Sequence, residues 1–352
     1  MTSLDEKIEK TRNSLRTERM DISFGEIIRM YQDKEMIIAP EYQRLFRWDE
    51  TQRTKFIESL LLGIPIPPIF VAENDKKEWE VVDGLQRVST VLTFCSALKA
   101  TDENKNLENL NGWKLEKGDL IKEIEGKTYE LLSRETKFLI KRYICRVEII
   151  KSNSEYDMRY QLFERLNTGG SILTDQEIRN CIFRGDSEEF NEFLNIEGKK
   201  EEFIDLIGPT LRQKKEMMLE ELVLRFCSLY NNMDNIKHSI SQHMTEFMRD
   251  NVKDIDKLEE LKIIWKRTIE LLETQESEIF RSKKRVFSTT LYDGIVVGLA
   301  QNIDKYENNN EKLVEKINEL IKTFYDENLI GLAHSKNNLK KRIKRADEIF
   351  ND

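Results

Sequence analysis

Apolar positions recur at helical spacing along most of the chain, but short β-rich runs interrupt them only in the first half. Residues 3–20 read as one charged helix, an arm. Ser23-Phe24-Gly25-Glu26 has capping-box spacing and opens a helix to about residue 33. The apolar run 36–39 reads as a short strand, stopped by Pro40. Asp49 caps a helix over 50–62, with Phe56, Ile57, Leu60 and Leu61 on one face, and Gly63 ends it. The prolines of IPIPPIFVAE forbid helix, so 69–72 is a strand. A polar turn at 74–77 leads into a second, antiparallel strand over 79–82. Asp83-Gly84 breaks that strand, and Val88, Val91, Leu92 and Cys95 mark a helix from about 85 to 99. Residues 101–130 are a polar excursion, read as carrying a small hairpin. YICRVEII over 143–150 is a strand. Ser154 caps a helix that ends before Asn167, and Thr174, with Glu177 three positions on, caps another.

From about residue 186 the pattern is helical throughout: 187–195, 216–231, 239–251, 255–274, 288–302, 310–326 and 337–349. The expected fold class is therefore α+β: a domain over 21–185 with a small mixed sheet, preceded by the arm at 1–20 and followed by an all-α helical domain over 186–352. A chain of 352 residues fits two domains.

Composition narrows the function classes. Lys and Arg number 57 and Asp and Glu 65, a net charge of −8, which argues against whole-surface nucleic-acid binding but leaves room for a local basic patch. Lys137, Lys141 and Arg142 lie in such a cluster at 134–146, read either as a solvated helix face or as a DNA contact. The four cysteines, at 95, 145, 181 and 227, show no C-x-x-C spacing and sit in apolar runs, as buried thiols of a reducing cytoplasm do. The three histidines, at 238, 243 and 334, have no partners at metal-ligand spacing. No apolar stretch approaches the ~18 residues of a membrane span.

Chemistry concentrates where a strand meets a helix. In D-G-L-Q-R at 83–87, a glycine at the strand end lets the chain turn tightly beside a ligand. The helix that follows directs its first N–H groups and its dipole at whatever binds there, which suits phosphate. Arg87 offers a charged fork for phosphate oxygens, Asp83 a carboxylate for Mg²⁺ or a water, and Gln86 an amide for a substrate oxygen. Taken alone, the same residues describe an ordinary helix start. PEYQRLFRW at 40–48 places Gln43, Arg44 and Arg47 beside Trp48, a set that grips an anion and stacks a base, or else plugs the edge of a core. FERLNTGGSILTDQEIRN at 163–180 holds Asn167, Thr168 and Gly169 in a tight loop between two helices. No nucleophile elbow and no Walker-type phosphate loop are present.

In this order the segments resemble the GmrSD N-terminal domain-like family (domain of unknown function 262). The resemblance is carried by PEYQRLFRW, SLLLGIPIPPIFV, EVVDGLQRVSTVLTF and FERLNTGGSILTDQEIRN, over residues 36–185. It implies a ParB/sulfiredoxin-like fold, a nucleotide-binding and hydrolysing D-G-Q-Q-R signature, and a place in restriction or antiphage systems acting on foreign or modified DNA. Asp83, Gly84, Gln86 and Arg87 match that signature, Gln43 and Arg44 match an upstream Q-R, and Asn167 and Gly169 match a downstream asparagine–glycine loop. Leu85 stands where the signature usually has glutamine, which bears on hydrolysis if that position faces the ligand. The histidine–asparagine–histidine set of longer nuclease relatives is not found, so DNA cleavage is expected either from a partner nuclease or defence subunit or not at all.

Three readings stand open. The first is an NTP-binding and NTP-hydrolysing module, with Asp83, Gln86 and Arg87 as catalytic groups. In it Gln43, Arg44, Arg47, Trp48, Gly84, Asn167, Thr168 and Gly169 hold a nucleoside triphosphate, and Asp83 holds Mg²⁺. The second is a non-catalytic subunit that binds nucleic acid or a protein partner. The third is a metal-dependent nuclease, ranked last because no other acidic ligands cluster beside Asp83. A homo-oligomer is compatible with all three, a membrane partner with none.

Overall fold

The computed structural model describes residues 3–38, 48–99, 107–152, 154, 158, 161–163, 165, 174–183, 188–232, 235–237, 239–275, 277–330 and 336–352. The chain divides into two compact units, residues 1–173 and 174–352.

The first unit is built on five strands: β1 (Thr17–Ser23), β2 (Met36–Ile37), β3 (Ile69–Glu73), β4 (Trp79–Asp83) and β5 (Ile144–Ile150). Their order across the sheet is β1-β5-β3-β4-β2. β1 pairs β5 and β3 pairs β4 antiparallel, while β3 pairs β5 and β2 pairs β4 in parallel. The small mixed sheet and the α+β class are thus as the sequence led us to expect, and both are compatible with a ParB/sulfiredoxin-like fold. Val71, Val81, Val147 and Ile149 belong to a core shared with α2 (Phe24–Gln32), α3 (Glu50–Leu62), α4 (Leu85–Phe94) and α5 (Arg134–Arg142).

The caps fall where the residues put them. Asp49 accepts from the Gln52 amide at 2.8 Å, and Gly63 closes α3 in the left-handed region at φ 69°. Ser23 accepts from the Glu26 amide at 3.1 Å and starts α2.

Three expectations are corrected. The helix read over 3–20 stops at Asn13 in α1 (Leu4–Asn13), and residues 17–23 are β1. Local propensity loses to a partner distant in sequence: β1 zips against β5 from Thr17↔Ile150 to Ser23↔Ile144, and Arg19–Glu148 (3.0 Å) and Arg146–Asp21 (3.2 Å) pair across the strands. α4 ends at Phe94, not near 99, because Asn111 grips Leu98 by both backbone groups, its Nδ2 donating to the Leu98 carbonyl at 2.8 Å. The polar excursion shows no strand among its described residues. It forms 3₁₀ turns at Leu107–Leu110, Lys122–Ile124 and Tyr129–Leu131, and buried Glu58 holds the approach to the second of them, accepting from the Leu120 and Ile121 amides at 2.9 and 2.7 Å.

The second unit is helical. It opens with α6 (Asp175–Phe183), whose start is closed by a Thr174/Glu177 capping box, the Thr174 N–H donating to Glu177 at 2.6 Å. Two short helices escaped the sequence reading, α8 (Glu201–Ile207) and α9 (Leu211–Lys215), which flank Gly208 and follow α7 (Glu188–Lys199). The helix expected over 288–302 is interrupted by a π turn, Asp293–Val297, where the Asp293 carboxylate holds the buried Arg225 guanidinium, Nη2 to Oδ2 being 2.6 Å. Cys145 and Cys227 are buried and Cys95 nearly so, and burial pushes the Cys95 and Cys145 thiols up to about 12. Among the described residues, no helix is long and apolar enough to cross a membrane.

Candidate functional site

β4 delivers Asp83 to the edge of the core through an irregularity in its pairing with β3. Phe70 opposes Asp83 and Val71 opposes Val81, so Val82 is the extra residue of a bulge. A bulge re-aims the side chains beyond it. Gly84 follows with φ 95°, a conformation a side chain resists. A Cβ there would also stand 3.1 Å from Ile69 Cγ1 and 3.2 Å from Arg87 Nη2. α4 then begins with no side chain capping it, which leaves its first amides for water or a ligand.

The side chains of the motif divide by task. Arg87 is turned inward, with its side chain 10% exposed. Its Nη1 donates to the carbonyl oxygens of Pro67 and Pro68, the latter at 3.1 Å, and its Nη2 donates to Asp83 Oδ2 at 3.0 Å. Burial holds the Arg87 guanidinium below the usual arginine range, with Asp83 opposing the shift. Gln86 is also buried, and its Oε1 accepts from the Trp48 N–H at 3.1 Å. The Trp48 ring meets Phe56 edge-on at 5.5 Å, so the chain entering α3 is fixed at both backbone and ring. Asp83 differs from the other two: its side chain is 44% exposed.

The arrangement joins four stretches of the first unit, at 48, 67–68, 83–87 and α3. Of the sequence candidates it brings together Trp48, Asp83, Gly84, Gln86 and Arg87. Gln43, Arg44, Arg47, Asn167, Thr168 and Gly169 lie outside the described residues. The sequence reading missed the two proline carbonyls. Their signal was present: adjacent prolines lack N–H groups, so their segment offers only acceptors, which an inward-facing arginine satisfies. Among the described residues no three acidic, histidine or cysteine side chains gather as a metal site. Asp83 supplies one carboxylate, and Arg87 already occupies one of its oxygens, so this chain's described residues do not by themselves form a Mg²⁺ cage.

Lys137, Lys141 and Arg142 fall on α5, which packs against α2 and α3. Arg134 and Arg142 reach Phe138 from about one turn before and one turn after it, 5.4 and 4.6 Å from its ring. Lys141 and Arg142 are exposed. Lys137 leans over Tyr129 at 5.2 Å and donates to the Glu130 carbonyl at 3.1 Å, so its charge is partly engaged locally.

Residues 24–184 match the family described as GmrSD restriction endonuclease, N-terminal domain. No curated protein and no solved structure matches the chain.

Proposed function

We propose, from the match of residues 24–184 to the GmrSD restriction endonuclease N-terminal domain family, that this chain is a component of a restriction or antiphage system whose first unit binds a nucleoside triphosphate at the start of α4. The observation that carries this reading is the uncapped helix start behind Gly84, beside a half-exposed carboxylate held by a buried arginine. Amides and dipole at such a start favour phosphate oxygens. Gln43, Arg44, Arg47, Trp48, Asn167, Thr168 and Gly169 would complete the nucleotide site.

Hydrolysis, in this proposal, rests on Asp83, the group of the motif that faces solvent and can orient an attacking water. Arg87 fixes the direction of that carboxylate, and Gln86 fixes the loop through Trp48. Lys141 and Arg142, with Lys137 beside them, would meet DNA phosphates, and a separate nuclease subunit would cut.

The test is calorimetry with ATP and GTP, with and without Mg²⁺, followed by release of inorganic phosphate. Gly84→Ala should abolish binding, because the Cβ strains the turn and crowds Ile69 and Arg87. Asp83→Asn should keep binding and lose turnover by ~100-fold or more. Wild-type protein that binds neither nucleotide at millimolar concentration would sink the proposal.

A second reading is favoured by one specific observation: Gln86 and Arg87 both direct their polar groups to the protein's own backbone. In that reading the pocket senses a nucleotide without consuming it. It expects tight binding, no phosphate release, and DNA affinity that falls steeply with salt.

A further inference from the structure

The sheet of the first unit ends in two unlike edges. β2 at one end is two residues long and offers little to another chain, while β1 at the other runs for seven, Thr17–Ser23. Its register with β5 is unbroken, and the bonds just beyond its two ends fix which way each residue faces. The Lys151 N–H donates to the Arg16 carbonyl at 2.9 Å, and the Phe24 N–H to the Tyr143 carbonyl at 3.1 Å. Residues of an antiparallel ladder alternate. Glu18, Met20 and Ile22 therefore bond inward to β5, while Thr17, Arg19 and Asp21 turn their N–H and C=O groups outward. Among the described residues nothing bonds to those outward groups, and residues 17–21 are exposed.

The side chains on this edge indicate which strand it accepts. Arg19 and Asp21 project from the same face of β1. Arg19 gives its Nε to Glu148 at 3.0 Å, and Asp21 takes the Arg146 Nε on Oδ1 at 3.2 Å. The Arg19 Nη groups and Asp21 Oδ2 have no hydrogen-bond partner among the described residues. The two side chains are 73% and 58% exposed. A half-used cation and a half-used anion thus stand two positions apart on an open edge, which is a good match for the same edge reversed. We propose that β1 is a self-association edge, pairing antiparallel with β1 of a second copy of this chain about a two-fold axis at Met20.

The charges choose that register. With Met20 opposite Met20 of the second copy, Arg19 lies directly opposite Asp21 of the second copy, and the reverse pair forms beyond the axis. Both residues belong to the outward-facing set, so each pair exchanges backbone N–H and C=O bonds as well as opposite charge. The side chains then run Glu148, Arg19 and, across the contact, Asp21 and Arg146 of the second copy, alternating in sign. A shift of the axis by one residue destroys this: centred on Arg19 it opposes two guanidinium groups, centred on Asp21 two carboxylates. On the other face Met20, half exposed in one copy, is covered by its counterpart in a close, non-hydrogen-bonded pair. Glu18, opposite Ile22 of the second copy, keeps Lys151 at 3.4 Å. The two five-stranded sheets run on as one through a single self-complementary patch. An edge of seven residues is a small contact, so the association belongs at the weak, concentration-dependent end of protein interfaces.

The test is sedimentation velocity of the full chain from about 1 to about 200 µM, a range in which a weak dimer forms by mass action. Hydrogen exchange of peptides covering residues 17–23 is read at both ends of the range. Wild type is expected to pass from monomer to dimer, and the amides of β1 to exchange severalfold more slowly at the high concentration. Arg19→Glu makes both members of the facing pair acidic, and Asp21→Lys makes both basic. Each variant alone should self-associate at least ~tenfold more weakly than wild type. Mixed in equal amounts, the two restore opposite charges at both pairs, and the heterodimer's dissociation constant should return to within ~threefold of wild type. Wild type that remains monomeric throughout overturns the proposal. So does a mixture that associates no better than the variants apart, or a wild-type dimer whose β1 amides exchange as fast as those of the monomer.

Discussion

His243 is buried in the second unit, its Nε2 2.8 Å from the Ser228 carbonyl oxygen. Burial lowers its pKa, while Glu246 and Lys340 act on it in opposite directions. The folded state therefore refuses a proton that the unfolded chain accepts below about 6.5. Stability from this group is present above that pH and lost as pH falls toward the depressed folded value. The urea midpoint of wild type should drop relative to His243→Gln between about pH 7.5 and 5, and parallel curves for the two proteins would contradict it. Arg87 teaches a different lesson at the same scale. The sequence placed it at a helix start beside Asp83, and that was legible because both lie within one turn. The direction of its fork was not legible, because the proline carbonyls it meets lie 20 and 19 residues upstream.

Elements whose ends are set by their own residues were readable, and those set by distant residues were not. α3 carries its N-cap Asp49 and its terminator Gly63 in adjacent sequence. α8 is closed by Gly208, but its last carbonyls are also held by Arg281, whose Nη2 donates to Ile207 and Gly208 oxygens at 2.6 and 2.9 Å. Nothing near 201–207 announces that partner, and three buried apolar residues make too brief a helical pattern. The excursion on α3 depends on a similar long reach. Gly118 lets the chain pass over Glu58, and a Cβ there would sit 2.4 Å from both Glu58 Oε1 and the Ile121 carbonyl oxygen. Relieving that clash pulls the Leu120 and Ile121 amides off the carboxylate. Gly118→Ala should therefore cost about 2–4 kcal/mol, read from chemical denaturation, with the loss disappearing if the loop merely shifts aside.

At the scale of the molecule, the two units reach their cores by different routes. Residues 174–352 pack helix on helix, and each helix carries its own apolar face, so the helical periodicity displayed that half in advance even where the partners are distant in sequence. The sheet of the first unit is assembled from remote pieces, and its order, β1-β5-β3-β4-β2, puts the strand made last between the one made first and the hairpin. A nascent chain leaving the ribosome therefore carries β1 and β3 with bare edges until Ile144–Ile150 has emerged to fill the gap between them. Such edges recruit other chains. A fragment released after residue 143 should accordingly aggregate where the whole protein remains dispersed, as light scattering would show, and residues 144–150 would then be the point in synthesis at which the polypeptide stops needing a chaperone.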